Sequence, residues 1–200
     1  MKVYTVLFLL ICLCCSPCVM AKTITVGDHS TSSAHYSGMH GQFKYSSAEF
    51  VLYDYELKDT GAISAMALYK CSGDTSADLD SVHIYVKESD TGIGKEVSLS
   101  GYTEVFSGVL AGSAGKGWVN LTFSAPFAYS GNKNLVILII RKNGRIHAKG
   151  YPAFAVSFSN TKAYQAAYFL SDSDPWKGSP AQSPQNQYAQ YRPYLQLTID

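Results

Sequence analysis

The fold this sequence predicts is all-β: a two-sheet antiparallel sandwich, jelly-roll-like, with no substantial helix. Three observations carry it. Apolar and polar residues alternate over short runs bounded by Gly, Ser, Asn and Asp, which is the period of half-buried strands. One run, residues 134–140, is apolar on both faces and reads as a central, fully covered strand. No helical stretch separates the runs, so the crossovers that a parallel sheet needs are missing.

The chain opens with Lys2, an apolar run over residues 6–13, and Val19-Met20-Ala21. A positive start, a short apolar core and a small-x-small end form a secretory signal layout, with cleavage expected near Ala21. The run falls short of the roughly 20 apolar residues a membrane span needs. Residues 1–21 are therefore read as a signal peptide and residues 22–200 as one sandwich domain, with no membrane span after signal removal. An uncleaved anchor and a lipoprotein remain as alternatives. Cys12, Cys14, Cys15 and Cys18 crowd this region, although none follows a Gly or Ala. Only Cys71 lies beyond it, so the exported domain has no internal disulfide and relies on its core. Cys71 follows an apolar run and reads as a packed thiol.

Strands are expected, in order, over residues 50–57, 63–69, 81–86, 102–108, 118–123, 134–140, 153–158 and 194–199, with 23–26 as a short edge strand. In 118–123, Trp118, Asn120 and Thr122 share one face, and Val119, Leu121 and Phe123 share the other. Residues 171–190 are polar and rich in Pro, Ser, Gln and Asp, with Trp176 and Tyr188 embedded. Such a segment is too long for a simple turn, and long loops often carry function.

Composition removes several classes of function. With 46% hydrophobic and 16% charged residues the chain is globular. It carries 16 basic and 15 acidic residues; without Lys2 the balance is 15 minus 15, or zero. That is no electrostatic footprint for nucleic acid.

Several pieces in order resemble a known family. They are residues 45–53, 61–68, 82–86, 104–108 and 117–123, then Ala125-Pro126-Phe127-Ala128-Tyr129-Ser130-Gly131, Asn134-Leu135-Val136-Ile137 and Arg192-Pro193-Tyr194-Leu195. Together they are similar to the β-sandwich modules of large secreted surface and adhesin proteins of Bacteroidetes-type bacteria. The carrying pattern is GWV-x-I-x-F-x-x-PF-x-Y-x-G-x-x-NL. The resemblance covers about residues 45–199 and implies a jelly-roll-like domain with a binding or adhesive role. The chain departs from that pattern in reading as a single module without a partner enzyme domain. The residues themselves give fold roles: Gly131 closes a turn where a positive φ is useful, and Pro126 sits where a missing N–H is harmless. Trp118, Phe127 and Tyr129 read as packing residues.

The candidate chemistry is thin. His29, His35 and His40 are spaced by six and five, which matches no structural zinc pattern, and they read as incidental members of a flexible segment. Asp74, Asp78 and Asp80 make at most a weak calcium loop; otherwise no metal and no cofactor is implied. No Gly-x-Ser-x-Gly elbow occurs. The carboxylates Glu49, Asp54, Glu56 and Glu104 fall on expected strands and are expected to face solvent, so no catalytic residue is nominated and no enzyme is expected.

Binding is the better expectation. Sugars are held by aromatic faces over their C–H patches and by polar side chains on their hydroxyls. Trp176, Tyr188 and Tyr191, with Gln187 and Arg192 as polar support, are the ligand-binding residues the sequence nominates. The expected function is an exported, non-catalytic binding or adhesion module for carbohydrate or a surface glycoconjugate. The alternative is a structural β-sandwich subunit that assembles with another secreted protein. Asn120-Leu121-Thr122 matches a glycan-acceptor pattern and reads as incidental on a strand.

Overall fold

The computed structural model describes residues 20–29, 31–33, 38–72, 78–93, 98–110, 115–147, 152–158, 166–174 and 187–200. The described chain is an antiparallel β-sandwich. Its elements are β1 (Lys22–Val26), β2 (Thr31–Ser33), β3 (Tyr45–Leu52), α1 (Asp54–Leu57), β4 (Gly61–Ser72), β5 (Leu79–Ser89), β6 (Thr103–Leu110), β7 (Gly117–Tyr129), β8 (Asn134–Arg141), β9 (Ala153–Phe158), β10 (Ala166–Ser171), β11 (Gln187–Ala189), β12 (Tyr191–Pro193) and β13 (Leu195–Ile199). One sheet has six strands in the order β11-β10-β3-β8-β5-β6. The other has seven: β1-β13-β4-β9-β12, with β7 beside β4 and β2 beside β9.

The core lies between the two inner faces. Phe50 and Leu52 of β3, Ile84 and Val86 of β5, and Ile137 and Ile139 of β8 meet Met66 and Leu68 of β4, Leu121 of β7 and Leu197 of β13. The doubly apolar run is explained by its place: β8 is hydrogen-bonded to β3 on one side and β5 on the other. Its inner residues enter the core. Leu138 and Ile140 enter a second cluster on the outer face with Tyr45, Tyr85, Leu99 and Tyr102. The expected edge strand is β1, which among the described residues pairs with β13 alone.

Residues 50–57 are not one strand. β3 ends at Leu52 and the chain turns through α1. Lys58 stops that turn in the left-handed region at φ 49°, and its N–H bonds the Asp54 carbonyl at 2.9 Å. The Glu56 carboxylate accepts the Tyr53 N–H at 2.9 Å, which a strand would not allow. The short strands β2, β10, β11 and β12 were not expected. Each is a local run whose pairing comes from distant partners, as β10 pairs with β3. Gly131 has φ 79°, and a Cβ there would stand 2.7 Å from the Asp59 carbonyl oxygen, so the turn before β8 requires glycine. Pro126 is exposed in β7, within the irregular stretch where the β4–β7 register shifts.

A buried arginine holds one corner. Arg141, at the end of β8, has a side chain with no solvent exposure. Its guanidinium donates to Asp80 Oδ1 at 2.7 Å, to the Phe43 carbonyl at 2.7 Å and to the Arg145 carbonyl at 2.5 Å. The Arg145 N–H reaches the same Asp80 oxygen at 2.9 Å. A Cβ on Gly144 would lie 2.2 Å from the guanidinium carbon, so glycine there makes room for the cation.

Candidate functional site

The functional reading starts from which side chains leave the sandwich. Alternation along β4 puts Met66, Leu68 and Lys70, all buried, on one face and Ala65, Ala67 and Tyr69 on the outer face of the seven-stranded sheet, where Ala67 is also buried and Ala65 and Tyr69 are half-buried. The register sets their neighbours. Tyr69 stands opposite Trp118, Ala67 opposite Asn120, and Ala65 opposite Thr122 on β7. On the other side Ala67 faces Gln196 and Ala65 faces Thr198 of β13. β1 then adds Thr25 beside Gln196 and Thr23 beside Thr198.

The result is a strip with a low floor. The methyl groups of Ala65 and Ala67 lie between taller amide and hydroxyl side chains. Strands are spaced by about 4.8 Å, so the flanking β13 and β7 backbones stand about 10 Å apart. Asn120 and Thr122 are exposed, and Gln196 donates from Nε2 to Thr25 Oγ1 at 3.2 Å.

One end of the strip is closed by aromatic rings. Trp118 and Tyr194 have centroids 4.9 Å apart, and Tyr69 meets Trp118 edge-on at 5.2 Å and 83°. Tyr69 and Tyr194 are 5.9 Å apart. The exposed His29 stacks on Tyr194 at 6.3 Å with its plane inclined by only 6°, and lies 5.1 Å from Tyr69. Its Nε2 is 3.2 Å from Cys71 Sγ. All three larger rings are half-buried, so each keeps part of its surface open. Burial pushes the Cys71 thiol up, against the pull of Lys116.

The residues nominated from the sequence are placed differently. Trp176 lies outside the described residues. Gln187 and Tyr188 fall in β11, at the edge of the six-stranded sheet, while Tyr191 and Arg192 fall in β12 of the other sheet. Tyr191 is half-buried. Arg192 is 4% exposed. Its guanidinium donates to both Glu56 oxygens, one at 2.7 Å, and to the Val51 carbonyl at 2.9 Å. Burial alone would raise Glu56, but the Arg192 hydrogen bond and charge outweigh it and hold the carboxyl low. Arg192 thus closes α1 onto the sheet.

The other carboxylates also correct their expected orientation. Glu49 is 2% exposed, on the outer face of β3 under the second cluster. The Tyr102 hydroxyl donates to its Oε1 at 2.5 Å, and Lys87 Nζ sits 4.2 Å from the centre of the Tyr102 ring. Asp54 and Glu56 are in α1, leaving Glu104 as the exposed strand carboxylate of the group, 2.7 Å from His83 Nδ1. His40 is fully buried rather than part of a loose segment, and His35 lies outside the described residues. Asp74 is also outside them. Asp78 is exposed, and Asp80 is committed to Arg141 and Arg145, which removes the third member of the calcium triad. Among the described residues no group of three His, Cys, Asp or Glu is placed to hold a metal.

Sequence reasoning missed the ringed strip because it treated Trp118 as packing. One signal was present: Trp118, Asn120 and Thr122 were already assigned to the face opposite Val119, Leu121 and Phe123. What the sequence lacks is the pairing of that face with Tyr69 and Tyr194, which are 49 and 76 residues from Trp118 along the chain.

No protein-family model matches the chain, and no curated protein matches it. Two solved structures are similar to it. One is the cysteine protease and lectin-like domains of Cwp84, a surface-layer-associated protein of Clostridium difficile, at 10% identity and TM-score 0.45, over 78% of this chain and 32% of that one. The other is the clostridial Cwp84 protease after propeptide cleavage, also at 10% identity and TM-score 0.45, over 89% of this chain and 39% of that one. The chain thus spans 32% to 39% of the length of the solved chains it resembles. At that level of likeness neither function nor ligand transfers.

Proposed function

We propose that the chain is an exported, non-catalytic binding module that takes carbohydrate on the outer face of its seven-stranded sheet. The observation that carries this reading is the triangle of rings Tyr194, Tyr69 and Trp118 at the head of an alanine-floored strip edged by Asn120 and Gln196. Aromatic faces cover the C–H patches of a sugar, and flanking amides and hydroxyls bond its hydroxyl groups. The signal layout of residues 1–21 supports export. The non-catalytic part rests on where the carboxylates go. Glu49, Glu56, Asp80 and Glu104 each serve a fold contact, and none stands on this strip.

A glycan array with residues 22–200 tests it, run beside Trp118→Ala/Tyr194→Ala and Trp176→Ala/Tyr188→Ala double variants. Binding that only the first pair abolishes is the expected result. Binding lost only by the second pair would move the site to the C-terminal segment. A blank array with folded protein would overturn the carbohydrate reading and put assembly with a protein partner first.

A further inference from the structure

The charge of the strip narrows its ligand. The side chains that line it are amides, hydroxyls and methyls, with the imidazole of His29 beside the rings at one end. The cations nearby are placed off it. Lys22, at the far end, is paired with Asp59 at 2.6 Å. Lys116 lies beyond the rings, within electrostatic reach of Cys71. A carboxylate or sulfate lowered onto the strip would lose hydration and meet no fixed positive partner, which is costly. A neutral hydroxylated chain would instead find donors and acceptors on both flanks, because each amide offers both.

The width adds a second constraint. The flanking strands stand about 10 Å apart, with one floor strand between them. That is room for one chain of sugar rings lying along β4.

Resting on the carbohydrate reading above, we propose that the ligand is a single neutral glycan chain laid along β4, with acidic glycans excluded. Gln196 and Asn120 act as the hydroxyl readers on opposite flanks, and Trp118 supplies the stacking surface.

Affinity electrophoresis tests this with the secreted chain in gels of neutral polysaccharides (a glucan, a mannan, a galactan) and acidic ones (alginate, heparin, a carrageenan). Retardation by at least one neutral polymer and by none of the acidic ones is expected. Its Kd should change less than about twofold between about 50 and about 500 mM NaCl, since no ion pair forms for salt to screen. Trp118→Ala should weaken binding by about tenfold or more, the scale of one lost aromatic contact surface. Asn120→Ala and Gln196→Ala should each weaken it less. Retardation only by acidic polymers, weakened by salt and by Lys116→Ala, would overturn the proposal while leaving carbohydrate binding standing. No retardation by any polymer, with folded protein, would overturn both.

Discussion

The two outer faces of this sandwich share a core but end differently. The six-stranded sheet presents Leu138 and Ile140 outward and buries them under half-buried Tyr45, Tyr85, Leu99 and Tyr102, the last two from the β5–β6 connection. A hydrogen bond from Tyr102 to the buried Glu49 fastens that cover. The seven-stranded sheet also presents half-buried rings outward, Tyr69, Trp118 and Tyr194, but these pack on one another and on the exposed His29. On one face the rings bury an aliphatic pair and the Glu49 carboxylate beneath them. On the other they stand at the end of a row of alanines with polar flanks. The contrast teaches that equal aromatic content and equal ring exposure can serve two different arrangements, and that what lies under and beside the rings separates them.

The largest effect should come from the corner that anchors the closed side. Arg141→Ala would leave the Phe43 and Arg145 carbonyls and the Asp80 carboxylate without their shared donor. A loss of about 3 kcal/mol is expected, the scale of an opened buried charge network. Urea unfolding should show it as a lower midpoint at constant slope. Glycan affinity per folded molecule should stay unchanged, since the corner does not touch the strip.

Next comes the closed face itself. Burial raises Glu49 more than the Tyr102 bond and the field of Lys87 lower it. The folded state therefore holds the proton more tightly than the unfolded chain. That contribution to stability is complete at low pH, below the unfolded pKa, and is lost as pH rises through the folded pKa. Glu49→Gln keeps the acceptor for Tyr102 and cannot ionise. It should match the native protein in acid and exceed it in stability above the folded pKa. Chemical melts across the pH range check this, and parallel curves for the two proteins would show that Glu49 stays ionised.

Legibility followed the range of the interactions. The sandwich could be read because alternation is local: Val82, Ile84 and Val86, or Val119, Leu121 and Phe123, declare a buried face within six residues. β8 could be read because six consecutive apolar positions, Leu135 to Ile140, exceed what one face explains. The fate of the acidic residues could not be read. Whether Glu49 faces water depends on Tyr102, 53 residues away, and whether Glu56 is free depends on Arg192, 136 residues away. The candidate strip failed for the same reason. Its three rings come from β4, β7 and the link between β12 and β13, and a Trp in a Pro- and Ser-rich segment drew the eye toward Trp176 instead. The Bacteroidetes-type resemblance gave the right architecture, but no family model supports that origin.

The smallest expected effects are the sharpest test of the contrast, because they ask for silence on one face and a signal on the other. The side chains of Asn120 and Thr122 are exposed and make no hydrogen bond or ion pair among the described residues, so Asn120→Ala and Thr122→Ala, which keep the backbone pairing with β4, should shift folding stability by no more than about 0.5 kcal/mol. Tyr102→Phe removes one hydroxyl from the closed face and strips Glu49 Oε1 of its donor. A cost of about 1–3 kcal/mol follows from leaving a buried acceptor unmet. Thermal melts of the three variants measure both sides together. If Asn120→Ala destabilises as much as Tyr102→Phe, the seven-stranded outer face is a folding surface like its counterpart. If it is silent in melting yet weakens glycan retention, that residue is kept for a ligand, because the fold has no use for it.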